Sequence, residues 1–386
     1  MASRRGSGCA LVLLIILVLA GLFAWNRFYR KEEAPRPAPS GGELRVEMID
    51  VGQGDSILIV SPEGKVVLVD AGDTGRGKAI LDNLRRNNIE AIDLFIATHA
   101  HADHIGGADE VMKAVAVRNV LDSGVQSEAR DDGNTNSGRQ TGGRRNVVLP
   151  TTKAYQDYLA AIAARGANFT RAEPGQRFEI GGGAVLTVLA PSQPLFTEDE
   201  LRSGGNVPNA NSVVVRLDYG DFSMLLTGDA EAQTEARIMR AGGDVRARVL
   251  KVGHHGSRYA TSDDFLARVK PEIAIISDSE ANRYGHPSQE VLDRLRAREV
   301  RVYRTDLQGD ITIMTNGKGT LEVKTEREAN ADLYAGRKPE RDDSSRRGFI
   351  AYGDFGPAPK NRNANQNSAN TNAAATNTNR RAAGGR

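Results

Sequence analysis

The sequence is poor in cysteine, histidine and tryptophan. Among its 386 residues there is one cysteine, Cys9, with six histidines and one tryptophan. A single thiol excludes a disulfide bond within the chain, and no disulfide-linked partner is expected. It also excludes a cluster of cysteine thiolates as metal ligands, so any metal ion must be held by nitrogen and oxygen atoms.

An excess of charge of one sign is also missing. The 51 basic side chains are balanced by 49 acidic ones, which leaves a formal net charge of +2 at pH 7. This balance excludes a strong positive electrostatic field over the whole protein as the basis of nucleic-acid binding. Local basic patches on the surface are compatible with a balanced net charge. Hydrophobic residues make up 39% of the chain, enough for most of it to bury a core.

Long apolar runs are confined to the N-terminus. Residues 9–25 carry no charge and are about long enough to cross a thin bilayer. We therefore expect a transmembrane anchor over residues 9–26, preceded by a short tail at residues 1–8. A cleaved signal peptide is the alternative, with Ala20 at its best cleavage site. Basic residues flank both ends of the run, so their distribution does not determine its orientation.

Composition divides the rest of the chain into three parts. Residues 27–42 contain proline, glycine and serine and predict a linker. Residues 43–326 alternate short β-rich runs with helical patterns, which predicts one folded domain. Strands followed by mixed strands and helices, twice over, predict an α+β fold in which two β-sheets pack together with helices outside. Residues 327–386 end in an Asn, Ala and Thr-rich stretch and predict a low-complexity, disordered tail.

Three histidines and one aspartate occur within six residues, directly after a predicted strand that ends at Thr98. The four residues are His99, His101, Asp103 and His104. The following Gly106 and Gly107 permit a tight turn into a helix, so the four side chains can point into one small volume. A purely structural explanation is unfavourable, because each group would need its own partner once buried. Imidazole and carboxylate ligands suit Zn²⁺ and also permit Mn²⁺ or Fe²⁺.

The spacing of this cluster resembles the signature of the metallo-β-lactamase superfamily. The resemblance implies an αββα sandwich and a metal-dependent hydrolase with two divalent metal ions, Zn or Mn. Asp70 resembles the aspartate that orients the histidine loop from behind, Asp229 the carboxylate that bridges the metals, and His255 the last histidine ligand. The implied metal ligands are His99, His101, Asp103, His104, Asp229 and His255.

Four further strings narrow the resemblance. They are DVGQGDS at residues 50–56, KVGHHGS at 251–257, NRYGHP at 282–287 and TDLQGD at 305–310. Together they are similar to the hydrolase domain of ComEC-type proteins, the channels of bacterial DNA uptake, over about residues 44–316. One expected membrane span cannot form a channel. The resemblance therefore implies hydrolysis rather than transport, and a separate channel protein becomes a candidate partner.

One position departs from the superfamily pattern. Most members supply a further histidine between the first cluster and the bridging aspartate, but here no histidine lies between His104 and His254. The corresponding stretch, residues 209–212, reads Asn-Ala-Asn-Ser. Asn211 or a water molecule is therefore expected to complete the first metal site. This weaker ligand makes Mn²⁺ a rival to Zn²⁺ as the bound ion.

Other residues near the expected ligands are candidates for catalysis or for supporting contacts. Asp103 is expected to steer the attacking water, and His254 to contact the substrate or to donate a proton. Lys251 is either a phosphate-binding cation or a surface residue at a strand end. The residues expected to support the ligands or to contact the substrate are Asp70, Asn211, Lys251, Ser257 and His286.

Three functions are consistent with these residues. The first hypothesis is a phosphodiesterase, a nuclease that cleaves DNA with a water molecule activated by two metal ions. The second is a hydrolase of another envelope phosphodiester, a β-lactam or a thioester. The third is a catalytically inert module that binds the cell envelope. For the first two we expect a single-pass protein of the cell membrane whose hydrolase domain lies outside the cytoplasm.

Overall fold

The computed structural model describes residues 42–125, 152–202, 204–319 and 321–337. The predicted anchor at residues 9–26 lies outside these ranges, as do nearly all of the predicted linker and most of the predicted tail. Among the described residues, no helix combines the length and the apolar character that a membrane span requires.

Eight strands form the first β-sheet, in the order β15-β14-β1-β2-β3-β4-β5-β6. Their bounds are Leu44–Met48 for β1, Ile57–Val60 for β2, Val66–Val69 for β3, Ala91–Ala97 for β4, Ala116–Asp122 for β5, Asn168–Arg171 for β6, Ile311–Thr315 for β14 and Glu322–Thr325 for β15. The strands β1, β2 and β3 run antiparallel, and β3 to β6 run parallel. The sheet is therefore of mixed type, with a parallel block at one side.

Seven strands form the second β-sheet, in the order β13-β12-β11-β10-β9-β8-β7. Their bounds are Arg177–Gly181 for β7, Ala184–Ala190 for β8, Val214–Tyr219 for β9, Phe222–Leu226 for β10, Val249–Lys251 for β11, Ile273–Ile276 for β12 and Arg301–Arg304 for β13. Here too an antiparallel block, β7 to β10, continues into a parallel block, β10 to β13. The two sheets thus share one topological plan.

Nine α-helices of the described chain connect and cover these strands. They are α1 Gly77–Arg86, α2 Ala102–Ile105, α3 Ala108–Ala114, α4 Lys153–Arg165, α5 Val207–Ala210, α6 Ala232–Arg240, α7 Asp263–Val269, α8 Gln289–Arg296 and α9 Thr305–Gln308. Because a parallel connection needs a crossover, helices separate most strands of the two parallel blocks.

The hydrophobic residues form three layers. Alternate residues of both sheets, such as Val46 of β1 and Ile275 of β12, pack in a central layer between the sheets. A second layer includes Phe95 on the outer face of the first sheet, and a third includes Leu250 on the outer face of the second. Burial on both faces of each sheet is the pattern expected for two sheets covered by helices. The predicted αββα architecture of the metallo-β-lactamase fold is confirmed.

The folded contacts continue beyond residue 326, where the domain was predicted to end. Arg304 is buried and forms a paired hydrogen bond with Asp306, and Arg337 donates to the same carboxylate at 2.7 Å. The backbone N–H of Arg337 also donates to the carbonyl of Pro287. Ala335 and Arg337 therefore contact residues of the second half of the fold.

Candidate metal centre

Each candidate ligand follows the carboxyl end of a strand in a parallel block. Asp70 follows β3, and the loop 99–104 follows β4. In the second sheet, Asp229 follows β10 and the turn 254–255 follows β11. The carboxyl ends of neighbouring parallel strands meet at one edge of a sheet. This arrangement brings residues that are far apart in the sequence to one place between the two sheets.

The loop that carries the histidine cluster is held tightly against its surroundings. His101 precedes α2 with an extended backbone, and Asp103 and His104 lie in the first turn of this helix. A Cβ atom at Gly106 would lie 2.3 Å from the backbone nitrogen of Thr74. Only glycine fits this position without a displacement of the backbone, so the loop keeps one position over the sheet.

Asp70 holds the histidine loop from behind. Its Oδ1 accepts a hydrogen bond from the Thr98 backbone N–H at 2.8 Å, and its Oδ2 accepts one from the Thr98 hydroxyl at 2.7 Å. The same Oδ2 lies 2.7 Å from Nδ1 of His104. A carboxylate in this position fixes the ring orientation and directs Nε2 inward. This geometry agrees with the orienting role expected for Asp70.

The second histidine segment has an unusual backbone. His254 has a φ of +48° and His255 a φ of +51°. Residues other than glycine rarely adopt this left-handed backbone conformation. The backbone N–H of Ser257 closes the turn by donating to the carbonyl of His254 at 2.7 Å. Both rings are buried as a result. Ser257 therefore supports the turn.

The candidate ligands form two groups that share Asp229. In one group, His99 and His101 lie with Asp229, and in the other Asp103 and His104 lie with His255; the ligand atoms of each group lie within 4.8 Å of one another. Oδ2 of Asp229 is 3.8 Å from Nε2 of His99. Its Oδ1 is 3.2 Å from Nε2 of His104 and 3.5 Å from Nε2 of His255. All six candidates thus converge, with Asp229 between the groups.

The orientation of two imidazoles fits a bound cation. Nδ1 of His104 faces Asp70, and Nδ1 of His255 lies 2.9 Å from the carbonyl oxygen of Ser277. Their Nε2 atoms and Oδ1 of Asp229 are buried, and among the described residues none of these atoms makes an aligned hydrogen bond. When Nδ1 carries the proton, Nε2 presents a lone pair to a carboxylate oxygen. Two acceptors that face each other require a cation between them, so the donor set fits a divalent metal ion.

Burial and mutual charge separate the pKa values of the histidines. Burial lowers the pKa of His101 to about 4 and that of His99 well below its usual value, so both rings are neutral. Burial opposes charge at His255 as well, but the carboxylates of Asp229 and Asp103 raise its pKa to about 9. Without a metal ion, protons therefore supply positive charge beside Asp229. Metal ions would supply that charge when bound.

His254 lies beside the two groups, between two carboxylates. Its Nδ1 is 3.3 Å from Oε1 of Glu231, and its Nε2 is 3.6 Å from Oδ2 of Asp229. Glu231 is itself buried and accepts a hydrogen bond from Arg202 at 3.1 Å. Burial opposes ionisation of Glu231, but its close contact with His254 and the charge of Arg202 lower its pKa below the usual value. An ionised Glu231 directs Nε2 of His254 towards the metal groups.

The structure corrects the expectation for Asn211. Its amide oxygen accepts from the backbone N–H of Phe196, and its amide nitrogen donates to the carbonyls of Phe196 and Val207. These bonds occupy the side chain, which therefore does not complete the first group. Asn209, two residues earlier, lies closer to the site, with Nδ2 3.4 Å from Nε2 of His254. Its amide oxygen is buried and makes no hydrogen bond within the described chain.

The structure contradicts the expectations that Lys251 is a surface residue or binds a substrate phosphate, and its position is compatible with a supporting role. The side chain is fully buried, so it is not a surface residue, and its ammonium group lies 2.7 Å from Oδ2 of Asp55. An ammonium group committed to a buried carboxylate is not available to bind a substrate phosphate. Lys251 thus belongs to the interior of the site.

His286 is a packing neighbour of the candidate catalytic histidine. Its ring stacks on Tyr284 at a centroid distance of 5.8 Å and meets the ring of His254 edge-on at 5.5 Å. Its backbone N–H donates to the side chain of Asn282. His286 is in neither group of candidate ligands, and a supporting role fits this position.

Several residues of the site were missed in the sequence. Thr98 and Ser277 contact candidate ligands through a hydroxyl group and a backbone carbonyl, and Glu231 contacts His254 through its carboxylate. No local pattern distinguishes such residues, because their roles arise from contacts between distant segments. Their positions were the available sequence signals, because Thr98 directly precedes His99 and Glu231 follows Asp229 by two residues.

Comparison with known proteins identifies the type of domain that surrounds this site. Residues 49–192 match the family model described as the Metallo-beta-lactamase superfamily. The chain is 32% identical over 301 residues to ComE operon protein 3 of Bacillus subtilis (strain 168), covering 73% of this chain and 34% of that protein. It is 30% identical over 296 residues to Recombination protein 2 of Haemophilus influenzae, covering 75% and 31%, respectively.

A third relative also matches this chain over only part of its own length. Competence protein ComA of Neisseria gonorrhoeae is 28% identical over 340 residues, which cover 86% of this chain and 41% of that protein. The chain thus spans between 31% and 41% of the length of these curated relatives.

Proposed function

Because this chain carries a metallo-beta-lactamase superfamily domain of the ComEC type, we propose that it is a metal-dependent hydrolase that cleaves phosphodiesters, with DNA as its substrate. The observation that carries the proposal is the convergence of six candidate ligands in two groups around Asp229. The names of two relatives refer to recombination and to competence, and they support DNA as the substrate.

We assign one divalent ion to His99, His101 and Asp229. The second is assigned to Asp103, His104 and His255, with Asp229 shared. Nitrogen and oxygen donors of this kind suit both Zn²⁺ and Mn²⁺. When bound, two such cations lower the pKa of a water molecule to about 7 and stabilise the charge that develops on the phosphodiester.

The protein side chains provide orientation and proton transfer in this proposal. Asp103 is the least buried of the proposed ligands, with 21% of its side chain exposed, and its carboxylate can accept a proton from the attacking water. His254, held by Glu231 at Nδ1, is proposed to donate a proton from Nε2 to the leaving oxygen. Asp70 keeps Nε2 of His104 directed to its ion.

We also retain the proposed location of the enzyme. Residues 9–26 would anchor the protein in the cell membrane, with the hydrolase domain outside the cytoplasm and a channel protein as a partner. Fusions of alkaline phosphatase and of a fluorescent protein to the end of the full chain, beyond the contacts of Arg337, test the orientation. Phosphatase activity supports the proposal, and fluorescence without phosphatase activity contradicts it.

The test of the function uses the purified chain with Mn²⁺ or Zn²⁺ and either single- or double-stranded DNA. We expect DNA cleavage, abolished in His101→Ala and unchanged in the control Lys153→Ala, whose side chain is on the exposed face of α4. Cleavage of an envelope-type phosphodiester, a β-lactam or a thioester, with DNA left intact, would replace DNA as the substrate. No hydrolysis of any of these substrates, together with an unchanged cellular role for His101→Ala, would favour the inert binding module.

A further inference from the structure

A buried ion pair lies directly behind the proposed metal ligands. Nζ of Lys251 is 2.7 Å from Oδ2 of Asp55 and donates to the carbonyl oxygen of Val252 at 3.0 Å. Lys251 is 0% and Asp55 is 1% exposed. Burying two charges carries a large desolvation cost. The proposed hydrolysis uses neither side chain, so the pair calls for an explanation of its own.

Asp55 has the surroundings of a metal ligand. Its carboxylate forms a further group of potential ligand atoms with Asp229 and His255, and another with Asp70 and His104; the atoms of each group lie within 4.8 Å of one another. Its Oδ1 is buried, makes no hydrogen bond within the described residues and lies 3.6 Å from Nδ1 of His255. Without Lys251, the carboxylate oxygens of Asp55 and Asp229 would offer a third position for a divalent cation.

The backbone prevents Asp55 from leaving this position. Its N–H donates to the carbonyl oxygen of Asp103 at 3.2 Å. The preceding Gly54 has a φ of +115°, and a Cβ atom there would lie 1.9 Å from the same oxygen. The segment is therefore pressed against the histidine loop, and its carboxylate remains beside the metal centre whichever cation accompanies it.

We propose that the ammonium group of Lys251 is a built-in cation that neutralises Asp55 and excludes a third divalent ion. The inference rests on the two-ion centre proposed above. A tethered single charge balances one carboxylate, whereas a divalent ion at Asp55 would compete for Asp229 and His255. It would also repel two nearby ions. Strand β11 ends at Lys251 and leads into His255, so one short segment sets both the built-in charge and a ligand.

The experiment measures the divalent ions bound per folded chain by elemental analysis after equilibration with Mn²⁺ alone. We expect Lys251→Met to bind one more ion than the unmodified chain. The control Lys251→Arg keeps a cation at Asp55 and should bind no additional ion. The double variant Lys251→Met with Asp55→Asn also removes the carboxylate that would hold the third ion. It should therefore bind no additional ion. Circular dichroism and thermal unfolding establish that each variant is folded.

Equal stoichiometry in folded Lys251→Met and in the unmodified chain would overturn the inference. If Lys251→Met is unfolded without metal, we expect Mn²⁺ to restore its fold by replacing the ammonium group. Failure of Mn²⁺ to restore it, while the double variant folds, would also overturn the inference. The stoichiometry of the unmodified chain tests the two-ion assignment, and the difference in Lys251→Met tests Lys251, so the two failures are distinguishable.

Discussion

The two halves of the sandwich follow the same strand plan but contribute to the site in different ways. In the first half, residues 44–171, three antiparallel strands lead into three further parallel ones, and in the second half, residues 177–304, β8 to β13 repeat this order. Asp70 and Asp229 occupy matching positions after β3 and β10. The histidine segments after β4 and β11 also match.

The difference lies in how each half makes its ligands converge. The first half concentrates four candidate ligands in one loop, backed by the carboxylate of Asp70. The second half supplies Asp229 and His255 from separate loops, and two consecutive residues with positive φ direct its histidines inward. One half thus relies on a dense motif and the other on a strained turn.

Asp229→Asn should have the largest effect, because this ligand from the second half is shared by both groups. The loss of metal-ion stabilisation amounts to several kcal/mol, or about 10³-fold in kcat/KM. Steady-state kinetics with DNA and with an activated phosphodiester measure it. The matching change in the first half, Asp70→Asn, acts only indirectly, through His104 and Thr98, and should cost less. An equal or larger loss in Asp70→Asn would contradict the assignment of Asp229 as the shared ligand.

The two orienting carboxylates should differ in what they control. Asp70→Asn should weaken metal binding by about 10- to 100-fold, since it removes the acceptor behind a ligand. Glu231→Gln should leave metal affinity nearly unchanged and lower kcat, more for a substrate with a poor leaving group than for one with a good leaving group. Metal titrations and kinetics with two leaving groups measure both effects. Weakened metal binding in Glu231→Gln would instead make His254 a ligand.

Glycines near the two histidine segments should respond to alanine for different reasons. At Gly106 φ is in the ordinary range, but a Cβ atom would lie 2.3 Å from a backbone atom. At Gly256 φ is +84°, and a Cβ atom would also lie 2.6 Å from Pro287. Each alanine variant should lower the free energy of unfolding by about 1–3 kcal/mol. Gly242→Ala is the control, with positive φ but open space, and should cost less. Denaturant unfolding gives the three values, and equal losses would show that space is not decisive.

A pH dependence of stability in the second half should be no larger than the effects of the glycine variants. Glu235 on α6 accepts hydrogen bonds from the backbone of Thr261 and Ser262, yet burial raises its pKa to about 7. A raised pKa means that the folded state binds this proton more tightly. Stability from Glu235 is therefore complete below pH 4.5 and is lost as the pH rises through 7, by about 1–3 kcal/mol. Denaturant unfolding at several pH values should show this loss relative to Glu235→Gln, and parallel profiles would refute it.

The first half was the more predictable part of the site. A group of four potential ligands within six residues, with Gly106 and Gly107 behind it, indicates a metal-binding loop before any tertiary contact is known. The αββα fold followed from the repeated pattern of strands and helices and from the family resemblance. These features depend on local periodicity and spacing.

Contacts between distant segments were less predictable. Asn211 and Asn209 stand in one short string, and only the path of the chain decides that Asn211 bonds to Phe196 while Asn209 faces His254. Lys251 resembled a substrate-binding or surface residue, because its partner Asp55 is remote in the sequence. Burial and pairing of this kind arise only when both sheets are assembled.

Each group of candidate ligands takes two side chains from the first half, and the second half adds the shared Asp229 to both groups and His255 to one of them. A bound ion would therefore cross-link the halves without a covalent bond. If the second half were unfolded, each group would keep only two donors, too few for tight binding of a catalytic ion. Under the proposed assignment, hydrolysis requires that both halves of the sandwich are folded and packed together. An incompletely folded chain would have no hydrolytic activity.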